Sequence, residues 1–120
     1  MFIKDLKKCE EILSGDNTIL NELINPLKDK ITTRYSLAHA KLKPNQISLN
    51  HRLRSSEVYY ILKGKGEMFI DNERKEVFAG QVIYIPPNSI QRIRNIGEGD
   101  LEFLCIVDPA WRPEDEEVLE

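Results

Sequence analysis

Cysteine, histidine and long apolar runs are all scarce in this 120-residue sequence. The two cysteines, Cys9 and Cys105, stand far apart. They make neither a disulfide framework nor a CxxC metal clip, and they read as free thiols in a reducing compartment. Cys105 lies in Leu-Glu-Phe-Leu-Cys-Ile-Val, where an unpaired cysteine behaves as a small buried hydrophobe. No cationic neighbour in sequence marks it as reactive. No apolar run approaches the ~20 residues needed to cross a bilayer. The opening MFIKDLKKCEEIL lacks the apolar stretch of a secretory signal. Positive charge is also short: 17 basic against 20 acidic residues give a net −3, which argues against nucleic-acid or anionic-membrane partners. The expectation is a cytoplasmic protein with no nucleic acid and no membrane among its partners.

The length suits one domain with a single core. A hydrophobic fraction of 41% and a charged fraction of 31% are ordinary for a globular chain. A helical period occurs over residues 5–14, where Leu6, Cys9 and Ile12-Leu13 share a face, Asp5 can cap and Gly15 follows as a stop. From Ile31 onward, short β-rich runs alternate with turn residues at a spacing of roughly 8–12, as in an all-β sandwich or barrel. The predicted runs are Thr33–Leu42, Ile47–Asn50, Glu57–Leu62, Glu67–Ile70, Glu76–Phe78, Val82–Ile85, Ile90–Asn95 and Leu101–Val107. This divides the chain into a helix and arm over 1–30, a β-barrel over 31–109 and an acidic tail over 110–120. The tail, with Pro113 near its start, reads either as a last helical turn or as a solvated end.

Val-Tyr-Tyr-Ile-Leu and Val-Ile-Tyr-Ile are apolar on both faces, so both faces require cover. One face suits a barrel interior. The other calls for a second sheet, the N-terminal segment or a partner subunit, and a homodimer is the expectation.

Only two histidines occur, His39 and His51. In HRLRSSEVYYILKG, His51 and Leu53 fall on one face of an extended segment. Glu57 opens the next strand on a face shared with Tyr59 and Ile61. In GQVIYIPPNSIQRIRN, Gly80 opens a strand, the double proline closes it, and Gln91, Ile93 and Asn95 share one face of the next. His51, Leu53, Glu57 and Gly64, then Gly80, Pro86, Asn88, Gln91 and Asn95, stand at the spacings of two motifs. In these the sequence resembles the cupin superfamily, across residues 33–107, with Gln46 near the place of an opening glycine.

The resemblance implies an all-β, double-stranded β-helix (jelly-roll) barrel. It also implies four metal-binding positions: two histidines and a glutamate in the first motif, and a histidine in the second. This chain keeps His51 and Glu57 but has Leu53 and Gln91 at the other two. Leucine donates nothing to a metal, and glutamine offers a neutral oxygen suited to hard ions. His39 repairs the deficit if the odd-numbered positions of its strand face the cavity; otherwise it is an outward or interface histidine. The candidate metal set is therefore His51, Glu57, Gln91 and His39, holding a divalent ion (Mn, Fe, Zn, Ni or Cu undistinguished). Leu53, Tyr59 and Ile93 are candidate cavity lining. Without a metal, His51 and Glu57 are candidates for general acid–base work. Three readings stay open for a small polar organic ligand or substrate: a metal-dependent cupin of oxygenase, isomerase or lyase type, a metal-free binding or regulatory barrel, and a metal-free sugar-isomerase-like enzyme.

Overall fold

Alternation with a period of two shapes the molecule. In the computed structural model, which describes all of residues 1–120, strand Ser56–Lys63 buries Glu57, Tyr59 and Ile61 and leaves Tyr60 and Leu62 exposed. Strand Leu101–Asp108 buries Leu101, Phe103, Cys105 and Val107. Strand Gln91–Asn95 buries Gln91, Ile93 and Asn95 while Arg92 and Arg94 stay on the outside. Rows of this kind need a second sheet to close over them.

In chain order the strands are β1 (Ile12–Leu13), β2 (Ile19–Ile24), β3 (Ser36–Leu42), β4 (His51–Leu53), β5 (Ser56–Lys63), β6 (Lys65–Ile70), β7 (Glu73–Phe78), β8 (Val82–Ile85), β9 (Gln91–Asn95), β10 (Leu101–Asp108) and β11 (Glu116–Val118). They form a six-stranded sheet, β1-β2-β3-β10-β5-β8, and a five-stranded sheet, β11-β4-β9-β6-β7, paired antiparallel throughout. The jelly-roll expectation holds. One end of the space between the sheets is filled by a cluster including Leu42, Ile61, Met68, Ile93, Leu101 and Phe103. The Tyr59 and Phe103 rings meet at 4.5 Å and 40°, a tilted contact worth about 0.5–1.5 kcal/mol beyond its area. The other end stays open as a cavity.

The helix expected over residues 5–14 does not form. A single 3-10 turn spans Leu6–Lys8, with Asp5 capping it by accepting from the Lys7 amide at 3.0 Å. Ile12 and Leu13 instead pair with Leu20 and Ile19 as a strand. A short isolated helix is marginal, and sheet pairing outweighs its propensity. The run expected at Ile47–Asn50 reduces to one bridge, Ile47 to Arg94, with the strand starting at His51. The tail forms one 3-10 turn at Pro113–Asp115 and then β11, which pairs with β4.

Turn chemistry fixes the register. Asn88, at the second motif's glycine position, has φ 66°, a left-handed conformation that asparagine tolerates better than most side chains. Asn95 is fully buried and structural: its amide nitrogen donates to the carbonyls of Leu42 (2.9 Å) and Gly99 (2.8 Å), and its oxygen accepts from Gly97 at 2.9 Å. Gly64 has φ +93°, and a Cβ there would lie 2.7 Å from the Asp100 carbonyl oxygen. Gly80 has φ +90° but open space around it. Chemical denaturation should therefore separate them: Gly64→Ala loses about 3 kcal/mol and Gly80→Ala about 1 kcal/mol. Equal losses would show that conformation alone, without the Asp100 contact, fixes the first position.

Candidate functional site

Between the sheets lies a cavity of about 280 Å³. Its floor comes from β5 and β10, with Glu57 beside Val107 and Tyr59 beside Cys105 in register. Ser36, Ala38 and Ala40 of β3 form one wall, and His51 and Leu53 of β4 stand in the other sheet. Trp111, the only tryptophan, also lines it.

Glu57 is one of two buried carboxyls of this site, with Asp16. Gln91 donates from Nε2 to Glu57 Oε1 at 2.8 Å, and the Tyr59 hydroxyl donates to Gln91 Oε1 at 2.9 Å. Glu57 Oε2 accepts no hydrogen bond from the protein. Burial pushes the Glu57 carboxyl up to about 7, opposed by the Gln91 hydrogen bond and the nearby His51. Burial likewise drives the Tyr59 hydroxyl and the Cys105 thiol well up, with the Glu57 charge adding to both. Both therefore stay protonated, and Cys105 is not a reactive thiolate.

His51 is fixed through its ring. Nδ1 lies 2.7 Å from the Leu49 carbonyl, which can only accept, so Nδ1 carries a proton. Nε2 lies 3.4 Å from Asp16 Oδ2. Asp16 sits in the turn between β1 and β2, where its other oxygen accepts from Ser14 Oγ and from the Thr18 amide, the latter at 3.2 Å. Asp16's own carbonyl accepts from the Leu49 amide at 2.8 Å. Glu116, on β11, pairs in register with Leu53, and cross-strand partners share a face. It therefore brings a carboxyl beside the leucine of the first motif. Burial raises the Glu116 carboxyl and the Asp16 charge adds to the effect, opposed by His51 and by a hydrogen bond from the Trp111 side chain.

The cavity thus gathers His51, Glu57, Leu53 and Tyr59. Gln91 stands behind Glu57, 1% exposed, and Ile93 is wholly buried in the core cluster and not along the cavity. His39 lies on the outer face of β3, opposite Asn21 and Leu104, with Nε2 3.0 Å from Glu102; the even-numbered residues of β3 face inward. Asp16, Glu116 and Trp111 are site residues that sequence reasoning missed. They come from a turn and a tail with no local period, so only the tertiary pairing shows their direction.

The metal set that the resemblance implies does not fit this geometry. Leu53 has no donor atom, both ends of the Gln91 amide are spent on Tyr59 and Glu57, and His39 points away. No three histidine, cysteine, aspartate or glutamate side chains converge as a metal-binding group.

Comparison with known proteins agrees with the architecture. The Cupin domain profile matches residues 38–107, and the chain belongs to the cupin family. An uncharacterized protein of Methanocaldococcus jannaschii is 40% identical over 114 residues, 94% of this chain and 90% of that one. The oxalate-binding protein of Thermotoga maritima is 32% identical over 71 residues, 58% of this chain and 59% of that one. Among solved structures, the Streptomyces nucleoside dehydratase Pac13 superposes with a TM-score of 0.80 at 18% identity, over all of this chain and 92% of the other. That last likeness is one of fold.

The Glu57 carboxyl carries a stability consequence. The folded protein holds this proton more tightly than the unfolded chain, whose carboxyl titrates near 4.5. Its contribution is full below about pH 4.5 and is lost as pH rises through about 7. Glu57→Gln should flatten that fall, of order 3 kcal/mol in the wild type, when unfolding free energy is measured across the window. An unchanged pH profile would show that Glu57 is not the titrating group.

Proposed function

We propose that this cupin binds a small, partly polar organic molecule in the barrel cavity without a metal, with Glu57 and His51 as the groups that meet it. The observation that carries the reading is Glu57: one oxygen is held by the Gln91–Tyr59 chain, the other is free, and the surroundings are mostly apolar. A cavity of this make-up binds by apolar contact and orients its ligand through a few polar atoms. The proton requirement of Glu57 near pH 7 favours a second reading, in which the same carboxyl acts as a general acid–base toward the bound molecule. A nucleoside dehydratase has this fold, so the barrel accommodates an enzyme. Oxalate, named for the Thermotoga relative, is not carried over, because no arginine lines this cavity and its one lysine, Lys28, is paired with Glu22 at 2.7 Å.

Trp111 supplies the test. A panel of small fragments should change its emission saturably, and to the same extent in EDTA. A response that requires added Mn²⁺ or Zn²⁺, or a stoichiometric metal lost in His51→Ala, would overturn the metal-free reading.

We further propose a homodimer through the outer face of the six-stranded sheet. Tyr60 (42% exposed), Leu62 (44%), Val82 (67%), Tyr84 (61%) and Ile106 (40%) form neighbouring cross-strand rows on β5, β8 and β10. A charge-free centre is its own complement about a two-fold axis, and tyrosines are favoured at such interfaces. The five-stranded sheet instead covers its outer face with its own charges, Arg92 lying over the Phe69 ring at 4.6 Å. The free cysteines support a reducing, cytoplasmic compartment. Light scattering should give twice the 13.9 kDa chain mass, reduced to one chain in Tyr84→Asp; a monomeric wild type would refute the dimer.

A further inference from the structure

The charges around the cavity do not balance. The carboxyl groups along its lining are Asp16, Glu22, Glu57 and Glu116, and its basic groups are Lys28 and His51. Lys28 is taken by Glu22 at the mouth, 2.7 Å away, and His51 stands 3.4 Å from Asp16. Glu57 and Glu116 form no ion pair with any lysine, arginine or histidine. Glu57 is only 8% exposed and its Oε2 faces the cavity unpartnered. Glu116 approaches from the opposite sheet, beside Leu53. Around them the lining is hydrocarbon: Ile12, Leu20, Ala38, Ala40, Phe103 and Val107.

Resting on the reading of this cavity as the binding site, we infer that its ligand is a small organic cation, an ammonium or amidinium head on an apolar body. The head meets Glu57 Oε2 and Glu116, and the body fills the space against β3 and β10. Three features favour a cation over an anion or a neutral alcohol. A cationic donor supplies the hydrogen bond that Glu57 Oε2 lacks when ionised and holds the carboxyl in that form against its burial, and a hydrogen bond with ionised partners is roughly twice as strong as a neutral one. It also relieves crowding among like charges, since Asp16 and Glu116 both push the Glu57 carboxyl up against the opposing pull of His51. An anion would add to that crowding in surroundings where charges interact more strongly than in water.

Three probes that share one body and differ only in the head test this: 2-phenylethylamine, 2-phenylethanol and 3-phenylpropionate, each titrated against Trp111 emission. The amine should bind about tenfold more tightly than the alcohol, and the propionate most weakly. Glu57→Gln should bring the amine-to-alcohol affinity ratio close to one, and Glu116→Gln should lower it by a smaller factor. An alcohol or propionate that binds as tightly as the amine, or a ratio unmoved in both variants, overturns the charge preference while leaving the cavity reading in place. Binding of none of the three at millimolar concentration removes both.

Discussion

One hydrogen-bonded chain, Tyr59 to Gln91 to Glu57, joins the two sheets of the barrel through its interior. Tyr59 and Glu57 belong to β5 of one sheet and Gln91 to β9 of the other. A buried glutamine amide and a buried carboxyl are costly unless satisfied, so the chain fixes how the sheets face each other. It also sets the chemistry of the cavity floor. With the amide oxygen turned to Tyr59 and the amide nitrogen to Glu57, a single carboxyl oxygen is left over, and it faces the cavity.

The same chain explains how this cupin departs from its family's motif. Glutamine at the second-motif position, with leucine at the first, gives up two imidazole donors and gains an apolar wall with a fixed amide. His51 keeps its place, but its ring is held between the Leu49 carbonyl and Asp16. These substitutions act together. Leucine alone would leave a histidine at the second-motif position; glutamine replaces it by a neutral group hydrogen-bonded at both ends, to Tyr59 and to Glu57.

The barrel was legible in the sequence because glycine, proline and asparagine turns separate strands of period two. Val82–Ile85 matched its predicted bounds and β5, β9 and β10 came within one residue at each end. The first turns of the chain were not legible. Leu6, Cys9, Ile12 and Leu13 fit a helical face, yet Ile12 and Leu13 are strand residues because β2 is available to pair with them. Strand β2, Ile19–Ile24, went unread, since Leu-Asn-Glu-Leu lacks clean alternation. The inward direction of β3 was equally hidden: both of its faces are mixed, and only pairing with β10 and β2 turns His39 outward. Half of the polar site, His51 and Glu57, followed from motif spacing. The other half, Asp16 and Glu116, reaches the cavity through tertiary contacts with β4 and the residues before it: Asp16 with Leu49 and His51, and Glu116 with Leu53.

The turn before β2 and the strand β11 meet at the cavity, where a Cβ on Gly15 would come within 3.7 Å of Glu116 Oε2. More than half of the lining residues lie outside the stretch 38–107 that defines the family. The barrel thus behaves as a fixed socket with an exchangeable collar. Substitutions in the collar alter the size and charge of the opening while leaving the pairs of β5 with β8 and β10, and of β6 with β9, as they are.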